Sequence, residues 1–223
     1  MHVTAVQRQA GVRHFIRKDG TVPAWMAVDK RVLLALSTTS NSTVPAHLAD
    51  EHVGHVYPWM ISQMESSGLA RPEGANTPWW CWLQYNSFFC RPPADSSNQV
   101  LLELSLPAHI VLASCFDDWH MVINNSPITS SEREWSALCY RLAKAGFPGA
   151  IPEKLPPEQQ SWVEEKWPTI FDLQWHGDVD WSPQVPILDR CVQGVFWSMQ
   201  PEYIVAVRDF GILDDDEALD PLS

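Results

Sequence analysis

Asp117, His120 and Asn124 follow one another at steps of three and four, the spacing that aligns side chains along one face of an α-helix. A carboxylate one turn before an imidazole can hold the ring in one orientation. An oriented imidazole can then act as a general base or donate a hydrogen bond to a ligand, and the Asn124 amide extends the same face. A structural reading of these residues stands beside the functional one. Ser114 and Asp117 form an S-x-x-D pattern close to a capping box, His120 can bond internally, and Asn124 can close the helix. Phe116, Trp119 and Ile123 share another face of that helix.

Other residues invite the same double reading. Cys115 falls in the first turn of the predicted helix, where the helix dipole would lower a thiol pKa; it fits equally as a small buried hydrophobe. His52 and His55 lie three residues apart beside Asp50 and Glu51. Histidines at that spacing can share a metal, but there is no H-E-x-x-H and no identifiable third ligand, so a solvated helix face is favoured and no metal is expected. Gln193 is a polar residue in an apolar run with Val192 and Val195. It either reaches into a cleft or satisfies a buried backbone group. Trp59 and Trp79 complete the set of candidate cleft residues. The absence of G-x-S-x-G, P-loop and Rossmann glycine patterns removes the commonest hydrolase and nucleotide-binding classes, and no cofactor is expected.

The elements that must position these residues can be read from pattern. Residues 3–20 read as a short strand and then a helix ending near Gly20, and the RVLLAL run Arg31–Leu36 as a strand. His47–Ser66 reads as one helix, with Val53, Val56, Met60 and Met64 on a single face and a kink at Pro58. An aromatic strand is expected behind Pro78, within Asn76–Tyr85. Gln99–Leu106 and His109–Ala113 read as strands separated by Pro107, followed by helices over Ser114–Asn124 and Ser131–Ala145. Four prolines and two glycines forbid regular structure in Gly146–Pro157. A short helix then begins at Pro157. Gln174–Pro186 is irregular, Cys191–Met199 a late strand, and Pro201–Phe210 ambiguous. The expectation is one α+β domain over residues 1–213, with a mixed or mainly antiparallel sheet packed with several helices, and an acidic tail over 214–223. Trp80, Trp82, Leu102, Leu104, Val111, Phe116 and Trp197 are expected to share its core.

Composition narrows the function class. The 223 residues are 45% hydrophobic and 19% charged, enough apolar material for a core. Twelve tryptophans bring large apolar area, each with one N–H that needs a partner when buried; some could form a binding surface. The formal net charge of −12, with no Lys/Arg cluster, disfavours direct nucleic-acid or anionic-membrane binding. It suits a basic protein partner, whose encounter it would accelerate. Five widely spaced cysteines with no C-x-x-C argue against a disulfide framework or structural zinc. No run approaches the roughly 18 apolar residues of a membrane span, so the expected location is the cytoplasm.

Several segments together resemble a bacterial family known as domain of unknown function 3841. Val3, Thr4 and Gln7 are similar to its opening element, and Tyr57, Trp59, Met60, Gln63 and Met64 to its Y-x-W-M-x-x-Q-M helix. Pro78, Trp79, Trp80 and Trp82 resemble its P-I-W-A-W. Leu104–Asn124 resembles its most distinctive block, which ends like L-L-S-D-F-D-x-W-H-x-V-L-N. Trp167, Ile170, Phe171 and Asp172, and then Gln193, Phe196 and Trp197, resemble two later blocks. Two departures stand out: Cys115 replaces the first aspartate of S-D-F-D, and Cys90-Arg91-Pro92-Pro93 replaces K-P-D-L-R. The resemblance supplies no reaction. The expectation is a non-catalytic interaction protein, such as an immunity or antitoxin-like factor for a basic partner. The alternatives are a small ADP-ribosyltransferase-like enzyme and a ligand-binding domain with a Trp-lined cleft.

Overall fold

The computed structural model describes residues 2–38, 43–44, 54–85, 98–149, 151–152 and 154–209. Within them the chain forms strands β1 (Thr21–Asp29), β2 (Trp79–Gln84), β3 (Gln99–Pro107), β4 (Leu112–Cys115), β5 (Val192–Phe196) and β6 (Ile204–Asp209). The helices are α1 (Ala5–Val12), α2 (Lys30–Thr38), α3 (Tyr57–Ser66), α4 (Phe116–Ile123), α5 (Glu132–Lys144) and α6 (Pro157–Glu164). The strands make one sheet in the order β4-β5-β2-β1-β3-β6, antiparallel throughout. This is the expected α+β architecture in a single compact domain. The tail expected over 214–223 lies outside the described residues.

Strand alternation sends successive side chains to opposite sides of the sheet, and each side has its own core. On one side Val22, Ala24, Met26 and Val28 of β1 meet Val100, Leu102, Leu104 and Leu106 of β3 and Trp79, Cys81 and Leu83 of β2, capped by Val12 of α1 and Val32 and Leu36 of α2. On the other side Leu112, Val195 and Trp197 pack against Met60 and Met64 of α3, Trp119 and Val122 of α4, Val163 of α6 and the 3-10 turn Trp167–Phe171. The set expected to share one core is therefore divided. Leu102, Leu104 and Val111 lie in the first cluster and Trp197 in the second; Trp80 packs on the second, while Trp82 and Phe116 are half-buried.

Three local expectations fail for physical reasons. The run Arg31–Leu36 is helical: Val32 and Leu36, four apart, are buried, while Leu34 between them is 68% exposed. Five apolar residues do not separate the two periods. The strand lies just before it, where Thr21–Asp29 alternates around Pro23. The chain start is no strand, because Thr4 and Gln7 close a reciprocal capping box that opens α1. The helix expected from His47 begins, among the described residues, at Tyr57, with Pro58 in its first turn. There the missing N–H costs nothing, and Pro58 starts the helix instead of kinking it. Likewise Ala108–Ile110 is a 3-10 turn and β4 starts at Leu112, which places Ser114 inside a strand. The ambiguous segment resolves into a 3-10 turn at Pro201–Tyr203 and then β6.

Candidate binding site at the junction of β2 and α4

One row of side chains crosses the second face of the sheet. Ser114 pairs with Gln193, Gln193 with Trp82, and Trp82 with Trp25. Ser114 and Gln193 are buried, and the Gln193 amide donates to the Ser114 hydroxyl at 3.2 Å. Trp82 and Trp25 are half-buried. Trp82 meets Tyr85 edge-on at 4.7 Å and Phe116 at 4.5 Å, and Phe116 meets His120 at 4.4 Å. Edge-to-face contacts at these distances are favourable. A continuous aromatic patch thus runs from the end of β2 to the outer face of α4, with the Gln193–Ser114 pair alongside it.

The first turn of α4 sets the geometry of the patch. Cys115 is the N-cap and makes no side-chain capping bond; Asp117 and Asp118 supply charge that suits the positive end of the helix. Asp117, His120 and Asn124 are all exposed, on the outer face, while Trp119 and Val122 are buried. The His120 ring takes its orientation from the backbone: its Nδ1 lies 3.0 Å from the Phe116 carbonyl. A carbonyl only accepts, so Nδ1 is the donor in this contact. Asn124 donates to the His120 carbonyl at 2.8 Å and closes the helix.

Beneath the same turn lies a buried polar group that sequence reading passed over. Arg190 is only 7% exposed; it donates to the carbonyls of Trp175 (2.6 Å) and Val185 (3.2 Å) and approaches Cys115 Sγ at 3.7 Å. Its Nη1 stands 3.8 Å from Asp118 Oδ2, an ion pair too long for a hydrogen bond. Burial pushes the Asp118 carboxyl above the ordinary carboxylate range, against the pull of the Cys115 thiol and Arg190. Burial, reinforced by the Asp118 charge, pushes the Cys115 thiol up to about 11. The dipole's lowering effect is thus overwhelmed. At neutral pH only about one molecule in 10⁴ would carry the thiolate that nucleophilic chemistry needs. Arg190 has no sequence signature, because its hydrogen-bond acceptors are backbone carbonyls, which every residue type carries.

The other candidates lie elsewhere. Trp79 is buried on the opposite face of the sheet. Trp59 is half-buried among Phe171 (5.9 Å), Trp167 (5.4 Å) and Trp119 (6.4 Å). Of the histidine pair, His52 is outside the described residues, and His55 Nε2 bonds the Ile123 carbonyl at 3.1 Å. No group of three metal-ligating side chains occurs among the described residues, nor is any described helix long and apolar enough to cross a membrane. Tyr85, which had no signal beyond its type, and Phe116, expected in the core, complete the patch; only the meeting of β2 with α4 joins them.

Several motif residues have internal tasks. Gln63, fully buried, accepts from the Val3 N–H at 2.9 Å and pins the chain start to α3. The indoles of Trp167 and Trp197 donate to the carbonyls of Ser126 (2.8 Å) and Leu69 (3.0 Å). No curated protein and no solved structure matches the chain. The family model described as Domain of unknown function (DUF3841) matches residues 17–205. The chain therefore belongs to the DUF3841 family.

Proposed function

We propose that this chain is a non-catalytic interaction domain, immunity- or antitoxin-like, that captures a basic protein segment on the aromatic patch between β2 and α4. The observation that carries the reading is the continuity of Tyr85, Trp82, Phe116 and His120 from half-buried to exposed, with the exposed Asp117 carboxylate at its edge. Aromatic faces attract guanidinium and ammonium groups. A net charge of −12 adds long-range attraction for a basic partner. Catalysis has less support. The Cys115 thiol is protonated, Gln193 is neutral where an ADP-ribosyltransferase-like site would need an acid, and its amide is engaged by Ser114. Cys81, Cys115 and Cys139 are free thiols, which suits the reducing bacterial cytoplasm as the place of action.

The test uses an arginine-rich peptide and a glutamine-substituted control of equal length. Binding to the arginine peptide that weakens with salt, and weakens further in Phe116→Ala and Asp117→Asn, is the expected result. Equal affinity for both peptides, or indifference to both substitutions, overturns the proposal.

A further inference from the structure

The space between α5 and α6 shares no residue with the aromatic patch. A partly open crevice of about 190 Å³ separates the two helices, with Ile128 and Val163 at its apolar base and Leu138 and Trp162 along its sides. Its base is held in place. The Trp181 indole donates to both the carbonyl and the hydroxyl of Thr129 at 3.1 Å, and Asp178 N–H donates to the Ser130 carbonyl at 2.7 Å. The backbone at Gly177 approaches Ser130 so closely that a Cβ there would stand 2.3 Å from the Ser130 carbonyl oxygen. This packing leaves the segment no freedom to collapse into the gap.

Four charged residues line the rim, Glu134, Arg141, Glu165 and Lys166, and they are unequally engaged. Glu134 is fully occupied: it accepts from the Ser130 N–H (2.6 Å) and hydroxyl (2.8 Å) and pairs with Lys166 at 3.1 Å. Arg141 has no acidic partner among the described residues, and its guanidinium lies 3.7 Å above the Trp162 ring. A guanidinium stacked on an aromatic face can still present its N–H edge to a carboxylate, which it matches with two parallel hydrogen bonds, and among the described residues no hydrogen bond takes that edge of Arg141. Arg141 is thus an exposed cation, without an acidic partner among the described residues, beside an apolar hollow. The volume falls below the ~300 Å³ lower range of sites for drug-sized molecules, so the ligand must be small.

We infer that the α5–α6 crevice binds a small monocarboxylate with a short apolar tail, the tail against Ile128 and Val163 and the carboxylate on Arg141. Hexanoate is the probe, with hexanol and hexylamine as controls, followed by amide chemical shifts in the full chain. Expected are saturable shifts at Ile128, Leu138, Val163 and the Trp162 indole with hexanoate. Affinity should fall about tenfold in Arg141→Gln, the loss of a charge-assisted bond, and an intermediate fall is expected in Arg141→Lys. Arg141 is exposed, so these variants keep the fold, which the unperturbed remainder of the spectrum verifies. Hexanol binding as tightly as hexanoate, shifts scattered over other surfaces, or no saturation at millimolar hexanoate would each overturn the inference. Any of these outcomes leaves the peptide-binding proposal untouched.

Discussion

The two faces of the sheet solve the same packing problem with different side chains. The face covered by α1 and α2 is largely aliphatic, with Val, Leu, Ala and Met from β1 and β3 interlocking around Trp79 and Phe196. The face covered by α3, α4 and α6 is built around Trp119, Trp167, Phe171 and Trp197, with Trp59 and Trp80 packed on it. Aliphatic packing is non-directional and is governed by volume. The indoles add a directional requirement, since each buried N–H needs an acceptor. For Trp167 and Trp197 the acceptors are loop carbonyls at Ser126 and Leu69, so these two indoles also fasten irregular segments, whereas the buried Trp80 Nε1 has no acceptor among the described residues. The aromatic patch grows from this second face where β2 and α4 leave Trp82 and Phe116 half-buried.

The contrast can be broken from the aliphatic side first. Leu102 is fully buried at the centre of its face, and Leu102→Ala should cost about 2–5 kcal/mol through lost transfer energy and the cavity left behind. Chemical denaturation measures it. On the aromatic face Trp197→Phe keeps most of the apolar bulk but abandons the Leu69 carbonyl, for a loss of about 1–3 kcal/mol. A loss no greater than that of an ordinary volume-conserving swap would show that the indole N–H is incidental there.

Charge sharpens the comparison further. The Asp118 carboxyl sits above its ordinary value of 3.8 because of burial. The folded state therefore holds its proton more tightly, and this contribution to stability falls as pH rises from 3.8 through the raised value. Glu134 goes the other way. Burial acts to raise it, but the bonds from Ser130 and Lys166 outweigh that and hold it below its ordinary 4.5. Its contribution is present above 4.5 and is lost as pH falls through the lowered value. Stability profiles of Asp118→Asn and Glu134→Gln against the parent should thus diverge with opposite slopes, and parallel profiles would refute both assignments.

Smaller effects separate the patch from the core. Burial raises Cys81 to about 12 and Cys115 to about 11. Both should resist alkylation at pH 8 in the folded chain, whereas half-exposed Cys139 should react first among the four described thiols. Asp117→Asn and His120→Ala, on the outer face of α4, should change stability by about 0.5 kcal/mol or less while weakening peptide binding. A large fall in melting temperature for His120→Ala would move that ring from the binding surface to the scaffold.

Much of this architecture is determined by the chain's own local chemistry. Ser131 opens α5 by capping the Glu134 N–H, Pro157 opens α6, and the apolar runs behind Pro78 and after Cys191 become β2 and β5. The steps of Asp117, His120 and Asn124 place them on one exposed face of α4, because helical periodicity is a property of the backbone. Other features depend on contacts between residues distant in sequence. Arg31–Leu36 is helical because burial of Val32 and Leu36 selects between two periods that a short apolar run satisfies alike. Ser114 belongs to β4 because its partner Gln193 lies 79 residues away. The strand pairing likewise sets Trp79 on one face and Trp80 and Trp82 on the other, so adjacent tryptophans serve different cores. The aromatic patch exists only where β2 meets α4, and the buried Arg190 group only where a long loop folds back beneath it. Such sites are decided by tertiary structure, since the free energy that forms them comes from burial and pairing between segments that carry no mark of each other.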